Sequence, residues 1–130
     1  MAVVVGFLAT MEGRAALDAA KREAALRGER IVVVVSLRPD TPADQRADLD
    51  VALEVVRDEL TAELIDHEIR VLDGGDVADD LIATAEATDG TLVVIGLRRR
   101  SPVGKLVLGG NAQRVLFDSP CPVLTVKPEL

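Results

Sequence analysis

Short uninterrupted apolar runs alternate along this chain with longer stretches in which apolar residues recur at every third or fourth position. The runs are Val3 to Val5, followed by Gly6 and Phe7; Ile31 to Val35, all β-branched; a weaker one at Glu68 to Leu72; Thr91 to Ile95, closed by Gly96; and Val123 to Val126. A strand with one wet face alternates polar and apolar residues. Runs without that alternation predict strands covered on both faces, as in parallel sheets packed under helices.

The intervening stretches predict helices. Ala16, Leu17, Ala20 and Ala24 share one face of the first, with Gly28 placed to stop it. The second starts near Pro42, and Leu49, Leu53, Val56 and Leu60 follow at helical spacing. Asp76 is placed to cap a third, in which Val77, Leu81, Ile82 and Ala85 share a face. The fourth is short, from about Asn111 to Asp118, and Pro120 and Pro122 end it. The order β-α-β-α-β-α-β-α-β predicts an α/β fold: an open, doubly wound, five-stranded parallel sheet with helices on both faces. No linker or internal repeat interrupts it, so residues 1–130 read as one domain. Ligands of such sheets lie beyond the carboxyl ends of the strands, where strand order reverses. That directs attention to the loops Gly6–Gly13, Leu37–Thr41, Asp73–Asp76 and Gly96–Asn111.

Composition narrows the function classes. Aromatic residues make up 2% of the chain, with no Trp or Tyr, so the stacking platforms of single-stranded nucleic-acid binders are absent. A net charge of −7 repels phosphate backbones as a whole, and no nucleic-acid partner is expected. Cys121 is the one cysteine, which excludes an intrachain disulfide and a multi-cysteine metal site. The opening Val-rich run is too short for a signal peptide, and no apolar stretch approaches the roughly 20 residues of a membrane helix. These features lead to the expectation of a soluble, cytoplasmic protein with no membrane partner.

One segment departs from the acidic background: Gly96-Leu97-Arg98-Arg99-Arg100-Ser101-Pro102-Val103-Gly104-Lys105-Leu106-Val107-Leu108-Gly109-Gly110-Asn111. It gathers three arginines and Lys105, glycines that permit close backbone approach, and a Gly109-Gly110 entry into the fourth helix. A helix start presents unpaired N–H groups and partial positive charge, both suited to phosphate. On residue chemistry alone the segment reads either as an anion cradle or as a solvated basic loop. It is not a Walker A loop, because Leu106 follows Gly104-Lys105 and position 99 is Arg. The Gly6–Gly13 loop lacks the glycine triplet of dinucleotide-binding folds.

Gly96, the basic loop, LVLGGNAQRVL at 106–116 and SPCPVLTVK at 119–127 resemble the universal stress proteins, and VVVGFLATMEGRAAL at 3–17 fits that family's first strand and helix. The resemblance covers nearly the whole chain, with the C-terminal third the specific part. It implies a homodimer formed through the last strand, here Val123–Val126, and a family with ATP-binding and non-binding branches. The binding branch carries Gly, two residues, Gly, nine residues, then Gly followed by Ser or Thr. Gly96 and Gly109 keep that spacing, but Arg99 replaces the middle glycine and Gly110 the hydroxyl residue. An Asp at the end of the first strand holds the nucleotide in that branch; Leu8 stands there and cannot accept a hydrogen bond.

Carried over residue by residue, the resemblance implies a regulator that binds ATP, another adenine nucleotide or phosphate, without demanding catalysis. Arg98, Arg99, Arg100, Ser101 and Lys105 would contact phosphates, beside Gly96 and Gly104. The N–H groups of Gly109, Gly110 and Asn111 would complete the cradle, and Gly6 and Val35 would flank the base. The alternative is a dimeric interaction module of the same family that binds no nucleotide.

The remaining candidates read as structural. His67, the single histidine, lies between Asp66 and Glu68 without partners for catalysis or metal. Cys121 reads as a small core residue. Asp73-Gly74-Gly75-Asp76 lacks the ligand ladder of a calcium loop and reads as a turn with a helix cap. A phosphoacceptor receiver domain would need carboxylates where Leu8 and Ala9 stand. No catalytic or metal-binding residue is expected.

Overall fold

The computed structural model describes residues 1–99, 106–107 and 109–128, with the backbone alone described at Arg99, Leu106 and Val107. Its elements run β1 (Ala2–Gly6), α1 (Met11–Arg27), β2 (Arg30–Ser36), α2 (Ala43–Ala62), β3 (His67–Leu72), α3 (Val77–Ala87), β4 (Gly90–Gly96), β5 (Arg98–Arg99), β6 (Leu106–Val107), α4 (Gly110–Asp118) and β7 (Val123–Val126). Five strands form one parallel sheet in the order β3-β2-β1-β4-β7, the predicted doubly wound arrangement. β5 and β6 make a separate antiparallel pair within the glycine-rich segment, which the sequence did not announce.

The edge strands β3 and β7 stay partly exposed, at Val71 and Leu124 among others, but the apolar runs of β1, β2 and β4 behave as their lack of alternation predicts. Successive strand side chains point to opposite faces, and both faces are dry. Val3, Val5, Ile31, Val33, Val35, Leu92 and Val94 pack against α1 and α2. Ala2, Val4, Val32, Val34, Val93 and Ile95 pack against α3 and α4. Each fully buried Val contributes roughly 1.5–3 kcal/mol. Small residues on α1, among them Ala16 and Ala20, let that helix lie close over β1 and β4.

A polar clamp ties α2 to α1. Arg14 Nη2 and Lys21 Nζ each donate to Glu59 Oε2 at 2.7 Å, and Lys21 also pairs with Glu63 at 2.6 Å. The Arg14 hydrogen bond, which outweighs the opposing effect of burial, and then Lys21 hold the Glu59 carboxyl down to about 2. Among the described residues, no helix is long and apolar enough to cross a membrane.

Helix ends show what sequence reading catches and misses. Gly28 closes α1 in the left-handed conformation, at φ 66°. Asp76 caps α3 by accepting from the Asp79 N–H at 3.0 Å. Pro42 sits at the cap of α2, one residue before its first turn. At the other end of α2, the Ile65 N–H donates to Leu60 O at 2.9 Å and the Leu64 N–H to Thr61 O at 3.1 Å, a Schellman closure. That closure forces Leu64 to φ 57°, a conformation that favours glycine. Leu64 is 93% exposed and recovers nothing by burial. Leu64→Gly is therefore expected to stabilise the protein by about 0.5–1 kcal/mol, read as a higher urea midpoint at unchanged slope. A lower midpoint would contradict this account of the α2 terminus.

Candidate functional site

Strand order reverses between β1 and β4: the chain steps from β1 to β2 and β3, then returns to place β4 on the other side of β1. A cleft of about 220 Å³ opens there, beyond the carboxyl ends of both strands. Its sides come from the β1–α1 connection, the end of β4 and the start of α4.

The α1 side is set by close packing. After β1, the Phe7 N–H donates to Val34 O at 3.0 Å, and the chain turns through Leu8 into α1, where Thr10 accepts from the Gly13 N–H at 3.2 Å. A Cβ on Gly13 would lie 1.9 Å from Leu8 O, and one on Gly96 would lie 2.2 Å from Glu12 O. Gly96 thus lets the first turn of α1 press directly on the end of β4. The sequence pattern suggested room for a phosphate at Gly96; the neighbour found there is the Glu12 backbone.

The opposite side is the N-terminus of α4. Gly109 occupies the cap position with no side-chain hydrogen bond, and the Gln113 N–H donates back to Gly109 O at 3.0 Å. The amides of Gly110, Asn111 and Ala112 precede that first helical bond and have no intrahelical acceptor. All three residues line the cleft. Arg114, one turn further on, donates to Asp76 at 3.1 Å and also to Asp79, so α4 is fastened to the first turn of α3. The Asp79 backbone N–H first, and the Arg114 charge after it, hold the Asp76 carboxyl below the usual carboxylate range. Arg114 is thereby committed to the scaffold.

Of the residues singled out in the sequence, Gly6, Gly96, Arg98, Gly109, Gly110 and Asn111 do line this cleft. Arg98 Nε stands 3.7 Å from Glu12 Oε1, so part of its charge faces a protein carboxylate. Of Arg99, the described feature is its backbone pairing with Leu106. Arg100, Ser101, Gly104 and Lys105 lie outside the described residues. Val35 is not part of the lining: its side chain is buried with α1 and α2, and its neighbours Val34 and Ser36 face the cleft instead. Period-two alternation makes this unavoidable, since one residue along a strand changes the face.

Sequence reading missed three features. Glu12 lines the cleft, but an acid in a first helical turn looks like ordinary dipole compensation. Ser36 lines it too, its hydroxyl donating to Asp80 Oδ2 at 2.7 Å. Leu8, identified only as a missing carboxylate, contributes an apolar wall. His67 Nδ1 lies 2.8 Å from Ile65 O, and Cys121 packs half-buried near Ser119. Among the described residues, no group of three or more His, Cys, Asp or Glu is arranged to hold a metal ion.

The sequence model of the Universal stress protein family matches residues 1–127. The chain belongs to this family. A universal stress protein of Mycolicibacterium smegmatis is 38% identical over 126 residues, covering 97% of each chain. The universal stress protein of Archaeoglobus fulgidus superposes with a TM-score of 0.82 at 30% identity, covering 98% of both chains. A structure of the Archaeoglobus fulgidus universal stress protein in complex with dAMP superposes with a TM-score of 0.78 at 26% identity, again over 98% of both.

The two cleft-lining glycines at either end of the loop should respond oppositely to a methyl group. Gly96→Ala places Cβ against the Glu12 carbonyl and is expected to destabilise by about 1–3 kcal/mol. Gly110 has nothing within 4 Å of its Cβ position, so Gly110→Ala should be neutral or stabilising by up to about 1 kcal/mol. Equal urea midpoints for wild type and Gly96→Ala would refute the close approach of α1 to β4.

Proposed function

We propose that this universal stress protein is a regulator whose cleft between β1 and β4 binds an adenine nucleotide. The observation that carries the reading is the α4 N-terminus, which has no side-chain cap and opens into the cleft at the point where strand order reverses. Unpaired amides and the positive end of the helix dipole suit a phosphate there. The dAMP complex of the Archaeoglobus fulgidus relative supports an adenine nucleotide as the ligand class.

In this reading the phosphate sits on the N–H groups of Gly110 and Asn111 beside Gly109, with Arg98, Arg99, Arg100, Ser101 and Lys105 supplying further contacts and Gly104 close approach. The nucleoside lies between Gly6 and the Val34–Ser36 edge of β2, over the apolar surface of Leu81 and Val115. Positioning and charge account for binding; demanding catalysis is not required of these groups.

Titration calorimetry with AMP, ADP, ATP and cyclic AMP tests the proposal. Heat is expected for at least one adenine nucleotide below millimolar concentration. Gly110→Ser, which restores a hydroxyl into open space, is expected to tighten binding several-fold. The absence of both heat and thermal shift at millimolar nucleotide would overturn it in favour of the ligand-free module.

The same reading includes a homodimer through β7. This four-residue strand ends the sheet with one edge unpaired, and its Leu124 is 36% exposed. A twofold mate would satisfy that edge and cover the side chain. Light scattering at micromolar concentration should give twice the chain mass, falling toward one chain in Leu124→Lys. A wild-type monomer would contradict the dimer and leave the nucleotide proposal standing.

A further inference from the structure

Leu8, at the mouth of the cleft, cannot accept a hydrogen bond, yet the cleft does contain a carboxylate. Among the described residues that line it, Glu12 is the only acid. Its side chain is 18% exposed, and its ion-pair contact, Arg98 Nε, is 3.7 Å away. That distance is too long for a hydrogen bond, and a carboxylate offers about four acceptor sites. Glu12 therefore retains accepting capacity inside the cleft. Its backbone is also held in place, because its own carbonyl occupies the space beside Gly96.

Two unlike groups thus line one cleft: a carboxylate on the α1 side and the amides of Gly110, Asn111 and Ala112 on the α4 side. A phosphate is drawn to the amides and repelled by the carboxylate. The part of a ligand that approaches Glu12 must then be a hydrogen-bond donor of low negative charge. A nucleotide has two kinds of uncharged donor, the adenine amino group and the sugar hydroxyls; with the base against Gly6 and the β2 edge as proposed above, the hydroxyls are left to face Glu12. Building on that reading, we infer that Glu12 accepts hydrogen bonds from the ribose hydroxyls and makes the cleft selective for nucleotides that carry them. Arg98, at 3.7 Å, flanks the carboxylate.

The measurement is the ratio of calorimetric affinities for AMP and 2′,3′-dideoxy-AMP, in wild type, Glu12→Gln and Glu12→Ala. Wild type should favour AMP by about tenfold, the scale of hydrogen bonds to a charged acceptor. Glu12→Ala should bring the ratio close to one, and Glu12→Gln, which keeps one acceptor oxygen, should leave an intermediate value. Releasing Arg98 changes the affinity for both nucleotides alike and drops out of the ratio. The wild-type ratio is informative even if a variant folds poorly. A wild-type ratio near one, or a preference that survives in Glu12→Ala, overturns the role of Glu12 while nucleotide binding stands. Failure of wild type to bind either nucleotide overturns both.

Discussion

The fold depends on one demand: the central residues of β1, β2 and β4 are all Val, Ile or Leu, so both of their faces must be kept from water. A single helical layer cannot do this. Val3, Val5 and Val33 require α1 and α2, and Val4, Val32 and Val93 require α3 and α4 on the other side. A chain that lays helices on both faces of a parallel sheet must reverse its direction of travel once, and here it does so between β1 and β4. Because the two halves diverge from that point, no connection crosses the strand ends there, and a cleft is left. The candidate site is thus a geometric consequence of where apolar residues had to be buried.

This logic is also why so much of the fold was legible in the sequence. Uninterrupted β-branched runs, the Gly28 stop and the Asp76 cap each point to one local structure, and the alternation of strands with helices points to a doubly wound parallel sheet. Illegible features were those in which long-range packing overrode local preference. Leu64 adopts a left-handed conformation because the end of α2 must close where β3 begins, and nothing in its side chain signals that. The short β5–β6 pairing sets Arg98 against Val107 and Arg99 against Leu106, and consecutive arginines carry no strand signal. At the site, Gly96, Gly109 and Gly110 all line the cleft, but their structural roles differ. Gly96 accommodates a helix backbone, Gly109 occupies the α4 cap position, and Gly110 has open space beside it.

Electrostatics separates the cationic groups that are structural from those that face the cleft. Arg14 and Lys21 serve the clamp between α1 and α2, and Arg114 serves the junction of α3 and α4. Arg98 is different: it is 57% exposed, lines the cleft and meets one carboxylate at 3.7 Å. In a chain of net charge −7, such an arginine together with the helix terminus makes a local exception to a repulsive field.

The two sides of the cleft are fixed by separate means, and this bears on how the loop can vary. The α1 side is set by contact of Glu12 with Gly96, and the α4 side by Arg114 reaching Asp76 and Asp79. Neither restraint involves position 99 or 110. A change of glycine to Arg99, or of a hydroxyl residue to Gly110, therefore alters what the cleft can hold without moving the frame around it. Position 12 lies within the frame and also lines the cleft, so a change of its side chain can alter ligand preference while its backbone stays where packing requires. On the inference drawn for Glu12, this frame can lose an acceptor at a strand end and hold another in the first turn of the following helix, with the fold unchanged.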